Sequence, residues 1–382
     1  MAHFPGRGID PDDLIRLLLR SNPVAEILGF RVNNFSIQGS RESGQKMPAL
    51  RFRQAIVAAL TDEMKADPTV ITFGEDIAAA EGVFKATEGL LTTFGPERVR
   101  DTPISEMAFT GAAVGAAMMG MKPVVEIMFM EFLGVALDQL VTEAAKMRYL
   151  SKGQYSVPMV VRASSGSGLG FGCQHSQTLE NWVAATPGLK VVTPSDPQSA
   201  YSLLRASIAD PDPVVFLEPR ILYAERGDVD FNLKMKLGQA RVLTTGTDLT
   251  IVALGNMVNV SKAAIAQAGV SADLIDLGTI VPWDKETVLN SVRKSKRLIV
   301  VEEAPLSGGW GSEIIATVTK ELFSSLVSAP FRITTPDTPV PFNGGLEAKF
   351  APNPDDVCRQ ILESMKNNSV PDAWWINEGV AK

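Results

Sequence analysis

Cysteine and histidine are scarce in this chain, at two each in 382 residues. Cys173 and Cys358 are too few for a disulfide framework or a structural zinc site. They point to a reducing compartment, cytoplasmic in the first instance, with the mitochondrial matrix as the alternative. No cluster of Cys and His suits a transition metal. No long hydrophobic run is present either. The most apolar helix candidate, Met107 to Met121, is too short and too rich in glycine to span a bilayer. The N-terminus lacks the apolar core of a secretory signal. Arg7, Arg16 and Arg20 faintly suggest an organelle transit peptide, but Asp10, Asp12 and Asp13 argue against one, because such peptides are poor in acids. Positive charge is not in excess: 36 Lys and Arg against 43 Asp and Glu leave a net charge of −7. That favours solubility and leaves no nucleic-acid footprint. No Gly-x-Gly-x-x-Gly turn joins a strand to a helix, so a nicotinamide-binding reading fails. Ser165-Gly-Ser-Gly-Leu-Gly is glycine-rich yet lacks the lysine of a phosphate loop. No repeat occurs at solenoid spacing.

What remains is ordinary globular composition, 45% hydrophobic and 21% charged, in a chain long enough for two or three domains. Leu14, Leu17, Leu18 and Leu19 after an acidic start predict a short helix, and residues 33–47 read as linker. Phe52, Ile56, Leu60 and Met64 give one apolar helical face. Short apolar runs at 70–73, 124–129, 158–161, 189–192 and 213–217 predict strands, and 132–147 a helix. Strands alternating with helices imply a mostly parallel sheet covered on both faces. The pattern breaks between Ala224 and Gly246 into polar sequence. A second α/β set follows, with strands at 249–254, 272–276 and 297–301 and helices at 260–268, 308–322 and 353–366. Ligands of such sheets bind beyond the carboxyl ends of the strands.

Two residues stand out for chemistry. Glu106 follows the turn Asp101-Thr-Pro-Ile-Ser and precedes a helix made largely of Ala and Gly. One reading makes it a first-turn acid on the helix dipole, with Ser105 as cap. The other makes it a desolvated carboxylate poised for proton exchange, because so bare a helix packs closely against a backbone or a flat ligand. His175 stands in Gly170-Phe-Gly-Cys-Gln-His-Ser-Gln177, after glycines at 166 and 168. A lone loop histidine is a structural donor about as often as a catalyst, and the polar, glycine-rich setting favours a site residue. Cys173 as a thiol nucleophile beside His175 is set aside, because sequence neighbours rarely form such a pair in space.

Asp101-Thr-Pro-Ile-Ser-Glu106, Glu126-Ile127, Asp138-Gln139, Gln174-His-Ser-Gln177, Pro187-Gly-Leu-Lys-Val-Val192 and Asp212-Pro-Val-Val-Phe-Leu-Glu218 together closely resemble one family over roughly 48–365. It is the beta subunit of the thiamine-diphosphate-dependent decarboxylating component of 2-oxo acid dehydrogenase complexes, of pyruvate, branched-chain or acetoin type. The resemblance implies an α/β fold. Its parts would be an N-terminal extension and linker (1–47), a transketolase-like pyrimidine-binding domain (48–225), a linker (226–245), a transketolase C-terminal-type α/β domain (246–366) and a tail (367–382). It implies that Glu106 hydrogen-bonds N1′ of the aminopyrimidine of thiamine diphosphate and shuttles a proton there. Phe132 would pack on that ring, with Ile104 and Met128 as pocket walls. His175 would assist proton transfer or guide the lipoyl group. A structural K⁺ would be held by Met159, Ser207, Ile208, Asp210 and Asp212, chiefly through backbone carbonyls. The cofactor's diphosphate and Mg²⁺ would belong to an alpha subunit, since the Gly-Asp-Gly motif that holds them is absent here and Arg226-Gly-Asp-Val229 does not match it. The implied partners are that alpha subunit in an α2β2 heterotetramer, a lipoylated acyltransferase and a small 2-oxo acid, pyruvate first. Neither nucleic acid nor membrane is expected. A non-catalytic scaffold is the alternative from another class. Two positions depart from the family pattern: Ala185 stands where a second histidine is usual, and Cys173 where alanine is usual.

Overall fold

The computed structural model describes residues 47–376. The expected helix at Leu14–Leu19, nearly all of the extension 1–47, and the tail beyond Ile376 lie outside the described residues.

The fourfold spacing of Phe52, Ile56, Leu60 and Met64 becomes the buried face of helix Phe52–Ala66. Each fully buried side chain of that kind contributes roughly 1.5–3 kcal/mol. The strands of the first half are β1 (Ala49–Arg51), β2 (Val70–Gly74), β3 (Val99–Asp101), β4 (Lys122–Phe129), β5 (Val160–Ser165), β6 (Lys190–Val192), β7 (Val214–Pro219) and β8 (Arg226–Asp228). The parallel array runs β6-β7-β5-β4-β2-β3. Strands buried on both faces read as continuous apolar runs, which is why 124–129 and 213–217 are legible in sequence. β3 is not: only Val99 of its three residues is buried, so it carries no pattern. Helix Pro197–Ala209 was also unread, although Asp196 caps it through Ser199 N and proline opens it.

The predicted helix 132–147 is a composite: a 3₁₀ turn Met130–Phe132, an α segment Leu133–Leu137, a π segment Asp138–Ala144 and an α segment Ala145–Leu150. Leu133, Ala136, Leu140 and Ala144 face the core.

The second half supplies β9 (Arg241–Thr244), β10 (Leu249–Ala253), β11 (Ala272–Asp276), β12 (Thr279–Val281), β13 (Leu298–Pro305) and β14 (Phe331–Thr335). Its sheet runs β14-β13-β10-β11-β9, parallel except for the antiparallel edge β9. β12 leaves that sheet and pairs antiparallel with β6, so the second half adds a strand to the first sheet. The stretch 226–245, expected as linker, therefore carries β8 and β9. One apolar core runs through both halves, joining Phe109, Ile127 and Leu133 to Leu254, Leu277 and Trp310. The expected tail is ordered into the second half as far as Ile376. Trp374 is buried, and its indole Nε1 donates to Thr334 O at 2.8 Å.

Candidate active site

Glu106 is the first residue of helix Glu106–Met118 and is 6% exposed. The expected cap does not form: the Ser105 hydroxyl donates instead to Pro103 O at 3.1 Å. The carboxylate still lies at the positive end of a helix dipole. It shares that place with a second acid. Gly74 closes β2 against β4 so tightly that a Cβ there would sit 2.5 Å from Glu126 O. Glu75 follows directly, beyond the carboxyl end of β2. Its Oε1 is buried without a partner. Burial pushes the Glu75 carboxyl up, and the charges of Glu106 and Asp76 push it further. The Glu75 carboxyl is therefore the one disfavoured as an anion here.

One glycine of the helix behind Glu106 has a close neighbour. A Cβ on Gly111 would lie 2.8 Å from Gln139 Oε1, which the π segment presents. π segments of this kind recur at functional sites. Ala108, Ala112 and Gly115 leave an exposed stripe of small residues on another side of the helix. Beside its start, Ile104 is 84% and Met107 53% exposed, so this wall is open.

The second wall is aromatic. The His175 ring stands edge-on to Phe129 at 4.7 Å and to Phe132 at 5.5 Å between centroids. The structure thus joins two of the residues singled out in sequence, His175 and Phe132. The helix that Glu106 opens packs on the segment Leu133–Leu137, which follows Phe132. Below the rings lies Arg220, 2% exposed, its guanidinium 4.9 Å from the Phe129 and Phe171 centroids and 5.8 Å from that of Phe84. Its Nη2 donates to Gly166 O, while Nε and Nη1 are buried without partners. Burial lowers its pKa, and the nearby Glu131 charge opposes that. A desolvated cation over aromatic faces contributes up to about 2 kcal/mol per contact. Met128 is half-buried at the end of β4, and its carbonyl accepts from the Ser164 hydroxyl.

Residues 48–226 match the transketolase pyrimidine-binding domain and residues 238–357 the transketolase C-terminal domain. The mitochondrial pyruvate dehydrogenase E1 component subunit beta-1 of Arabidopsis thaliana is 41% identical over 90% of this chain and 96% of its own. The chain belongs to the beta-subunit family of the 2-oxo acid dehydrogenase E1 components. The 3-methyl-2-oxobutanoate dehydrogenase subunit beta of Mycobacterium tuberculosis is 42% identical, over 82% of this chain and 92% of that one. The beta subunit of acetoin:2,6-dichlorophenolindophenol oxidoreductase from Cupriavidus necator is 39% identical, over 83% and 98%. Among solved structures, a split-gene transketolase, described as an inactive beta4 tetramer, superposes with a TM-score of 0.68 at 22% identity, covering 83% of this chain and 98% of that one. It shares the fold.

Side chains at the positions that family resemblance marked for K⁺ find partners within the chain. Lys190 Nζ lies 2.6 and 2.7 Å from the two Asp210 oxygens and 3.6 Å from Asp212. Arg148 pairs with Asp212. The Ser207 hydroxyl donates to Leu203 O, and Met159 O accepts from Val214 N. Ile208 is buried in the core. The Asp210 carboxylate is thus paired with the chain's own ammonium, which leaves backbone carbonyls, the expected donors, as the groups for a cation. Among the described residues no group of three or more His, Cys, Asp or Glu is arranged to hold a metal ion.

Sequence reading missed Glu75, Phe129, Glu131, Arg220, Glu303 and Glu347. A signal existed for Glu75, an acid directly beyond the carboxyl end of a predicted strand. None existed for the others, whose roles depend on contacts distant in sequence.

Proposed function

We propose that this chain is the beta subunit of a pyruvate dehydrogenase E1 component and holds the aminopyrimidine of thiamine diphosphate against Glu106. The observation that carries this reading is a nearly buried carboxylate at a helix start, beside a second acid whose pKa is raised. Such a pair fits a ring nitrogen that gains and loses a proton near neutrality. Phe132 would cover the ring, and Ile104 and Met128 would bound it. When bound, thiamine diphosphate supplies the carbanion chemistry that releases CO₂ from a 2-oxo acid and leaves an acyl group for a lipoyl arm. The Glu106 carboxylate oxygen would accept the hydrogen bond of the ring nitrogen, and Glu75 stands beside it. His175, held edge-on between Phe129 and Phe132, moves a proton at the site's mouth or guides the incoming lipoyl group.

An alpha subunit in an α2β2 assembly would complete the pocket and carry Mg²⁺. The exposed Ile104 and Met107, with the small-residue stripe Ala108, Ala112 and Gly115, support that placement. A lipoylated acyltransferase would receive the acyl group. A cytoplasmic location, or the mitochondrial matrix, agrees with two free cysteines and with relatives of both bacterial and mitochondrial description. A K⁺ near residues 207–212 would have to rest on carbonyl oxygens, given the pairing of Asp210 with Lys190. A second reading, acetoin or a branched-chain 2-oxo acid as substrate, is supported by relatives of comparable identity.

The test is reconstitution with the alpha subunit against a panel of 2-oxo acids and acetoin. Glu106→Gln is expected to remove decarboxylation while the assembly keeps its size. Undiminished turnover in that variant would sink the reading, and inactivity of the native assembly on every substrate would favour a scaffold.

A further inference from the structure

The glycine-rich stretch before His175 has no part in the chemistry above. Gly166, Gly168, Gly170 and Gly172 have φ of 95°, 97°, 76° and 74°. Residues with side chains rarely adopt such values. Alternation of these glycines with ordinary residues turns backbone N–H groups inward, in the manner of an anion-binding nest. The anions are the protein's own. Gly168 N donates to Glu347 Oε1 at 2.9 Å and Gly170 N to Glu347 Oε2 at 2.7 Å. Ser167 N and its hydroxyl both donate to Glu303 Oε1 at 2.7 Å. Thr178 Oγ1 donates to Glu303 O at 2.9 Å. At the far end Gln177 N donates to Glu131 Oε1 at 2.6 Å.

Glu303 lies on β13 and Glu347 ends the short helix Gly344–Glu347, so both belong to the second half of the chain. Glu347 is 4% exposed. The same segment brings Phe342 onto the loop: a Cβ on Gly172 would sit 2.7 Å from its ring. The loop that carries His175 is therefore strapped from the second half, by β13 at Ser167 and by the segment 342–347 at Gly168, Gly170 and Gly172. Its glycines leave it little stiffness of its own, since glycine loses more conformational freedom on ordering than any other residue.

We propose that Glu347, supported by Glu303, is a positioning residue that holds the 166–177 loop and keeps the His175 ring against Phe129 and Phe132. The importance of that position for acyl transfer rests on the function proposed above. The strap itself does not.

The experiment uses the full assembly with its alpha subunit and compares Glu347→Gln, Glu347→Asp, His175→Ala and the double variant Glu347→Gln/His175→Ala. Glu347→Gln keeps the side-chain shape but leaves one acceptor for two N–H groups. Amide exchange at 166–172 is expected to accelerate by about ten- to a hundredfold, the size set by losing a charge-assisted hydrogen bond, with exchange elsewhere and Tm nearly unchanged. Transfer to a lipoyl domain should fall more than oxidation by an artificial acceptor, and Glu347→Asp should recover part of it. The double variant should be no worse than His175→Ala alone. Unchanged exchange at 166–172 in Glu347→Gln, or fully additive losses in the double variant, would overturn the proposal. Faster exchange with a harmless His175→Ala upholds the strap and refutes instead the role given to His175.

Discussion

Glu180 offers a direct reading of buried charge through pH. It opens helix Glu180–Ala184, is 6% exposed, and leaves Oε2 buried without a partner. It lines a small cavity of about 20 Å³ between the two halves with Glu302, Glu303, Thr193 and Asn256, room for about one water. Burial, with added repulsion from Glu303 and Glu302, pushes the Glu180 carboxyl up to about 8. Burial likewise raises Glu302 to about 7, against the opposing charge of Arg332. Both groups keep their proton in the folded chain at pH values where the unfolded chain has lost it. The stability this contributes is full below the unfolded value near 4.5 and is lost as pH rises toward 7–8. For Glu180 alone the slope approaches roughly 1.4 kcal/mol per pH unit, and the whole window is worth roughly 3–6 kcal/mol. Against a total stability of about 5–15 kcal/mol, that is readily measured. Glu180→Gln keeps the shape and removes the titration. Tm of the assembled protein, followed from about pH 5 to 9 at constant ionic strength, should fall with pH in the native protein and fall less steeply in the variant. Parallel curves would refute the assignment of that proton to Glu180. Glu302→Gln is the poorer probe, because it also breaks the 2.9 Å pair with Arg332.

Two further outcomes follow from the geometry. Arg162 is fully buried in the first sheet, pairing with Glu218 through Nε at 2.7 Å and with Glu126 through Nη1 at 2.7 Å; Arg162→Leu should cost about 3–5 kcal/mol by stranding two buried acids, and a Tm near that of the native protein would contradict this. His175→Ala should lower acyl transfer to a lipoyl domain more than oxidation by an artificial acceptor, and equal losses would count against its proposed place at the mouth of the site.

The buried triad of Arg162, Glu126 and Glu218 also shows why strand register matters to the site. β4, β5 and β7 place Glu126 beside Arg162, and Ser164 beside Glu218. Tyr223 adds its hydroxyl to Glu218 at 2.7 Å. Burial raises the Glu126 pKa while the Arg162 charge opposes it. Ion pairs of this kind contribute little net stability against an apolar core, but removing one member leaves a charge uncompensated. Here they tie together three strands, two of which end at Ser165 and Pro219 in the lining of the cavity beside Glu180.

By itself the sequence determined the class of fold, the helix on Phe52, Ile56, Leu60 and Met64, and most buried strands, and it singled out Glu106 and His175 as candidates. These are legible because they depend on local periodicity, or on motifs that recur in order along the chain. Tertiary structure alone decided the rest. It replaced the Ser105 cap with a turn contact, split the helix at 132–147 with a π segment, and gave β12 to the first sheet. It set Glu75 against Glu106. It turned the glycine stretch into a nest for Glu303 and Glu347, which bond residues 136 and 179 positions away. For the two acidic clusters the physical reason is the same. A carboxylate's work depends on which donors and which other charges share its buried space, and across such separations only the folded packing brings them together.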